Sequence, residues 1–287
     1  MAAIYKRELK NYFTVLTGWL FIAILLLVFG IYTASLCLSK GYADFSLVPY
    51  NALFTYLIAI PLLTMRSLAE ERRQKTDQLL YSSSLGAYEI IFGKYLAMLT
   101  MLAIPIAICF LYPGILASHG RVPLGTAWSA MTAYFFLGAA LIAIGLFFSS
   151  LTQSQFVSAA FTFGVLLLCY FAGDLQSLAS AKLSTSFFFF LGLFVLLGLL
   201  TGSLTKSRTA GILLFAVPAV VLLLLYLAKP QLLDGSAAAI LGMIALFAKT
   251  ETFCDGIFDI GILIYYITIA WLFLFFTVQA FEKRKWS

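Results

Sequence analysis

Apolar and polar positions separate along this chain on a coarse scale, with long uncharged runs divided by short polar connections. Eight apolar runs stand out, at 16–38, 48–66, 95–117, 126–149, 155–173, 186–204, 210–228 and 260–281. Each approaches the roughly 20 residues that an α-helix needs to cross hydrocarbon. The pattern predicts an all-α, polytopic helical membrane protein of about eight transmembrane helices. The sixth and seventh runs are short and joined only by TKSRT. They span together or not at all, because one alone would carry Lys283–Lys285 to the opposite face.

Three shorter stretches break the pattern. Residues 2–13 place Tyr5, Leu9, Tyr12 and Phe13 at helical spacing with Lys6, Arg7 and Lys10 between them. That suits a helix lying in the membrane interface with its apolar side toward the acyl chains. Residues 230–259 are of intermediate polarity; Ala237–Ala248 is too short to cross, so an interfacial or re-entrant segment is expected. Residues 66–94 form a long polar connection that holds nearly a third of the chain's charge: Arg66, Glu70, Glu71, Arg72, Arg73, Lys75, Asp77, Glu89 and Lys94.

Composition agrees with the pattern. The chain is 63% hydrophobic and 10% charged, with a mean hydropathy of +1.03, far from the soluble globular range. Leu16–Leu38 is longer than a secretory apolar region and lacks a clean cleavage site, so it reads as a retained first span. With the N-terminus inside, Lys6, Arg7, Lys10, Arg66, Arg72, Arg73, Lys75, Lys94, Lys206, Arg208, Lys283, Arg284 and Lys285 are cytoplasmic, and Lys40, Arg121, Lys182, Lys229 and Lys249 are outside. This excess places both termini in the cytoplasm. The net charge of +6 is then a footprint of loops facing anionic lipid and does not imply nucleic acid. Cys37, Cys109, Cys169 and Cys254 show no metal spacing and read as packing residues.

The chemistry that is missing narrows the function. Apart from boundary residues such as Arg66, the apolar runs contain no Asp, Glu, Lys or Arg. Ion-coupled carriers normally hold ionisable groups at membrane depth, although a Na⁺ site can be built from backbone carbonyls. The single histidine, His119, lies beside Arg121 in SHGRVP and has no catalytic or metal-binding companions in the sequence. Neither HExxH nor GxSxG occurs. Gly86 and Gly93-Lys94 resemble a phosphate loop, but six residues separate the glycines where four are needed, and Tyr95 stands in place of Ser or Thr. No ATP site is expected on this chain, and no other bound cofactor or metal. Gly198 and Gly202 form a GxxxG that lets another helix approach. Glu251, Asp255 and Asp259 recur every four residues, either as a solvated rim or as an acidic face for a cation or basic substrate.

Read physically, 66–94 is a charged hairpin. Glu71 with Lys75 and Glu70 with Arg73 have spacings that support a helix, which would extend the second span to about Leu80. Ser82–Ser84 and Gly86 supply a turn, and Ala87–Phe92 begins a second helix leading into the third span. Leu79, Leu80, Tyr88, Ile90 and Ile91 add apolar side chains without an obvious lipid partner, which makes the hairpin a plausible docking surface.

The stretch AEERRQKTDQLLYSSSLGAYEIIFGKYLA resembles the first cytoplasmic loop of ABC-2 type transporter permeases. The residues that match are Glu70-Glu71-Arg72, Thr76, Leu79-Leu80, Glu89 and Gly93-Lys94. YKRELKNYF at the N-terminus is similar to the family's elbow helix. ETFCDGIFDIGILIYYITIAWLFLFFTVQAFEKRKW is similar to its last span and basic C-terminus, especially in the gliding-motility-type branch. Two departures are visible: the apparent extra pair of spans at 186–228, beyond a six-span core, and Ser82-Ser83-Ser84 where a proline often marks the turn.

The resemblance implies one transmembrane domain over 1–287 in a bacterial cytoplasmic membrane. Its elbow helix carries Tyr5, Arg7, Glu8, Leu9 and Tyr12. Its ATPase-coupling segment carries Glu70, Glu71, Arg72, Arg73, Thr76, Leu79, Leu80, Tyr88, Glu89, Gly93 and Lys94. Such a chain is a non-catalytic permease that pairs with a second, identical or related permease. Separate ATP-binding cassette subunits hold ATP and Mg²⁺ and drive transport, usually export of lipids, glycans, peptides or drugs. An ion-coupled carrier or channel working without an ATPase is the alternative.

Overall fold

The computed structural model describes residues 1–39, 44–74, 86–118, 120, 122–179 and 236–285. All regular structure among them is helical: α1 Ala2–Thr14, α2 Leu16–Tyr32, α3 Leu47–Asn51, α4 Thr55–Thr64, α5 Ala69–Arg73, α6 Ala87–Cys109, α7 Leu111–Ala117, α8 Leu124–Leu151, α9 Gln155–Ala179, α10 Ser236–Ile244, α11 Glu251–Cys254 and α12 Ile260–Lys285. Six helical stretches among the described residues are long and apolar enough to cross a membrane: Leu16–Leu38, Leu47–Arg73, Ala87–Ala117, Leu124–Leu151, Gln155–Ser177 and Ile260–Lys283. They correspond to the first five expected spans and the last. The pair at 186–228, with Gly198, Gly202, Lys206 and Arg208, lies outside the described residues.

The chain divides into two compact units, Met1–Leu168 with Lys249–Ser287, and Cys169–Ala248. In the first, α4 and α8 form the centre and are buried for most of their length, whereas the first, third and last spans turn much of their apolar surface outward. A helix apolar all round belongs in a core or in lipid, and α8 does the former from Leu137 to Leu146.

Aromatic hydroxyls bind this core through the backbone. Tyr56 and Tyr134 stack at 4.2 Å, and the Tyr56 hydroxyl donates to the Tyr134 carbonyl at 2.9 Å. Phe29 meets Tyr134 edge-on at 5.1 Å. Gly138 makes room, since a Cβ there would lie 2.6 Å from the Tyr56 hydroxyl. Tyr95 donates to the Ala139 carbonyl at 3.1 Å. Such bonds matter because a polar group buried without a partner is costly.

Val15, in extended conformation, separates α1 from α2. The two helices then meet so closely that a Cβ on Gly18 would lie 2.9 Å from the Tyr12 carbonyl carbon. Trp19 crosses the corner and donates its ring N–H to the Phe13 carbonyl at 2.8 Å, satisfying one of the acceptors that a helix end leaves open.

At the opposite end of this unit, Asp44 accepts from the Ser46 N–H at 3.0 Å and from its hydroxyl at 2.6 Å. The Cys254 thiol donates to the Ser46 carbonyl at 3.4 Å. After α11 the chain reverses at Gly256, with φ +85°, a conformation glycine adopts without a side-chain penalty. In the second unit, α10 covers the end of α9 through Ala172, Ala238, Leu241 and Ala245, and Tyr170 meets Phe247 at 5.3 Å. The segment expected to be interfacial or re-entrant is thus built from short helices, of which α10 is the longest described.

Candidate functional site: a buried charge junction

The polar segment after the second span and the start of the third span converge on α1. Along α1, Ile4, Glu8 and Tyr12 recur every fourth residue and are buried, while Lys6, Arg7 and Lys10 are exposed. Tyr5, Leu9 and Phe13 occupy the flank between and are partly covered. The inward stripe lies against α6. Gly93 admits it, because a Cβ at that position would lie 3.1 Å from Ile4 Cγ2. The Tyr5 hydroxyl and Thr100 Oγ1 share a hydrogen bond of 3.0 Å further along the same contact.

Glycine at 93 lets the two helices close, and the next residue supplies the charge. The Lys94 side chain is 1% exposed. Its ammonium donates to Glu8 Oε1 at 3.0 Å, Glu71 Oε1 at 2.8 Å and the Ser67 carbonyl at 3.0 Å. An ammonium has three donors, and all three are used. Arg7 completes the junction, its Nη2 lying 2.8 Å from Glu8 Oε1 and 3.2 Å from Glu71 Oε1. The two carboxylates thus share two cations, buried Lys94 and the exposed Arg7.

Burial alone would raise the pKa of the Glu8 carboxyl, but Lys94 and Arg7 outweigh it and hold the group below its ordinary value. The hydrogen bond to Glu8 raises Arg7 above its own. Glu8 and Arg7 therefore each favour the charged form of the other.

The remaining segment residues divide between inside and outside. Glu70 lies 3.9 Å from Arg66 Nε and accepts from Gln74 at 3.2 Å. Arg72 is buried and Arg73 exposed. Tyr88 is 44% exposed, and Glu89 is exposed in the first turn of α6, where a carboxylate favours the helix dipole. Ile90 and Ile91, expected on the docking hairpin, are instead buried in the unit. α6 runs from Ala87 to Cys109 without a break, so the expected second short helix is the first turns of the third span. Lys75, Thr76, Asp77, Leu79, Leu80 and Ser82–Ser84 lie outside the described residues, as do His119 and Arg121.

Spacing in the sequence pairs Glu70 with Arg73, but the structure gives Glu70 to Arg66; Glu71, which spacing pairs with Lys75 outside the described residues, is held by Lys94 and Arg7. The role of Glu8 as a counter-ion was missed. One signal pointed to it, since Glu8 is the only acidic residue before Asp44 and stands among three bases. Ser149 was missed with no signal at all: its hydroxyl accepts from the Leu68 and Ala69 N–H groups at 3.1 and 3.2 Å.

The acidic residues at the other end are exposed and sit on separate elements: Glu251 in α11, Asp255 just after it, and Asp259 before α12. Asp259 accepts from the Gly261 N–H at 2.7 Å, which caps the last span. Among the described residues no group of three or more His, Cys, Asp or Glu is placed to hold a metal ion.

The junction clamps three chain segments together through charge. A model of the ABC-2 family transporter proteins matches residues 38–183, just over half of the chain, including the 66–94 segment. None of the curated proteins matches the chain.

Proposed function

The chain belongs to the ABC-2 family of transporter proteins, and from that premise we propose that it is the permease of an ATP-driven exporter whose 66–94 segment receives force from a separate ATP-binding cassette subunit. The observation that carries this reading is the Lys94 junction. A segment that only anchored the membrane face would need solvated cations, as the positive-inside rule describes. Here one lysine is withdrawn from solvent and clamps Glu71, the Ser67 carbonyl and Glu8 together. A push on the segment would therefore be delivered to α6 and α1 as one body.

In this reading α1 is the elbow helix, with Lys6 and Lys10 toward anionic headgroups, and the N- and C-termini face the cytoplasm of a bacterial cell. The exposed side chains of Arg73, Tyr88 and Glu89 face the motor, together with Thr76, Leu79 and Leu80. A second permease, identical or related, completes the pathway, and an extra pair of spans at 186–228 brings each subunit to eight. ATP and Mg²⁺ bind the partner subunit only. The cycle then consists of a switch between two conformations stabilised by different contacts.

The test is co-expression of the chain with its ATP-binding subunit, identified as the co-purifying chain that carries a Walker A motif. Arg73→Glu and Tyr88→Ala are expected to release that subunit while the permease still inserts and elutes as a single species. Retention of the subunit by both variants, or gradient-driven transport by the purified chain alone, overturns the reading.

A further inference from the structure

Ser149 ends a face of α8 that carries the corner between the second span and α5. Its hydroxyl is buried, and three backbone groups converge on it: the Leu68 and Ala69 N–H groups donate at 3.1 and 3.2 Å, and the Met65 carbonyl lies 3.5 Å away as acceptor. The first N–H groups of any helix lack partners within it. Leu68, the residue that precedes α5, has an apolar side chain and cannot cap. Both Leu68 and Ala69 are also buried, so water does not replace the missing partner. The cap comes instead from a residue 80 positions along the chain.

One turn earlier on α8, Gly145 seats the end of α4. A Cβ there would lie 2.9 Å from both Thr64 Cβ and Thr64 Cγ2. On another flank of α8, Phe147 meets Phe273 at 5.7 Å and Phe276 at 6.1 Å, both on α12. The corner that leads into the 66–94 segment is thus joined to the fourth span, and the fourth span to the last.

We infer that Ser149 is a positioning residue for coupling, whose hydroxyl makes the 66–74 segment and α8 move as one body. This rests on the proposed role of the segment as receiver of force. The physical reason is that buried amide donors cannot exchange one partner for water, so the cap is costly to lose and resists separation of the two elements. Without the hydroxyl, the first turn of α5 would open and the displacement would stop there. The Lys94 junction would still drive α6 and α1, so the two contacts distribute force to different spans.

Residue-resolved amide exchange on the full-length chain in lipid nanodiscs, and on its complex with the co-purifying ATP-binding subunit, tests this. In the resting chain, Ser149→Ala is expected to speed exchange at Leu68 and Ala69 about tenfold or more, while Ser149→Thr, which keeps the hydroxyl, stays near wild type. In the complex, trapping nucleotide with orthovanadate is expected to alter exchange at both 66–74 and 145–151 in wild type and Ser149→Thr. In Ser149→Ala only 66–74 responds, a split that simple destabilisation would not produce.

An undiminished response of 145–151 in Ser149→Ala overturns the inference, and unchanged resting exchange at Leu68 and Ala69 overturns the cap. A wild-type complex whose 66–74 segment ignores trapped nucleotide overturns the force-receiver reading and this inference with it, even where the resting exchange shows the cap. Should Ser149→Ala fail to insert, Ser149→Cys, similar in size but a weak hydrogen-bonding partner, is read by the same criteria.

Discussion

Lys94 and Glu8 meet at 3.0 Å across 86 positions of sequence, joining the start of the third span to the N-terminal helix. Both side chains are withdrawn from solvent, at 1% and 8% exposed. Placing charges there is unfavourable unless they are paired and hydrogen-bonded. Glu71, Arg7 and the Ser67 carbonyl supply the further partners.

Removing one ion is therefore worse than removing two. Lys94→Met leaves Glu8 and Glu71 facing each other without their buried counter-ion, and is expected to cost about 3–5 kcal/mol. Adding Glu8→Leu should recover a large part of that loss. Thermal unfolding of the detergent-solubilised chain, followed by fluorescence-detected size exclusion, measures both variants.

The same junction sets an acid limit. Glu8 titrates below its ordinary value in the folded chain, so its contribution is complete above the usual carboxylate range and is lost as pH falls through the lowered value. Apparent melting temperature should hold from pH 8 down to roughly 5 and drop below about 4. Glu8→Gln, which cannot ionise, should lower the plateau and flatten this part of the profile in the same thermal assay.

Gly93 is required by proximity. Gly93→Val would drive a branched side chain into Ile4, whose Cγ2 already stands 3.1 Å from the site of a Cβ. A loss of about 1–3 kcal/mol is expected from overpacking, and Ile4→Ala in the same chain should relieve part of it. A cysteine cross-link between α1 and α6, formed in the parent and lost in Gly93→Val, would report the displacement directly.

Gly145 makes the corresponding prediction inside the core. Gly145→Ala places a methyl 2.9 Å from Thr64 Cβ, a contact that forces one of the two helices to shift, and should cost about 1–3 kcal/mol. Thr64→Ala would restore only part of the stability, since the Thr64 Cβ remains. A double-mutant cycle on melting temperature separates the two effects.

Membrane crossing was legible in the sequence because hydrophobicity accumulates along contiguous residues. Leu16–Leu38 needs no distant partner to be recognised as a span, and the same reasoning located the other described spans. The amphipathic spacing of residues 2–13 marked out α1 before any packing was known. Resemblance directed attention to Glu71, Gly93 and Lys94 as a group, although it offered a docking surface and said nothing of a buried junction.

What the tertiary structure alone decided is which groups meet. Nothing local assigns Glu71 to Lys94 and Arg7, which hold its carboxylate because the fold buries Lys94 and a buried ammonium must fill its three donors. The fold also turned Ile90 and Ile91 inward and placed the Ser149 hydroxyl over the buried amides at the start of α5. No periodicity encodes these contacts. They exist because chain segments far apart in sequence are packed into one low-dielectric interior, where each polar group has to find its partner among whatever the fold brings near. The sequence by itself determined that the chain crosses a membrane and where most of the crossings lie; the pairing of its few charges had to wait for the fold.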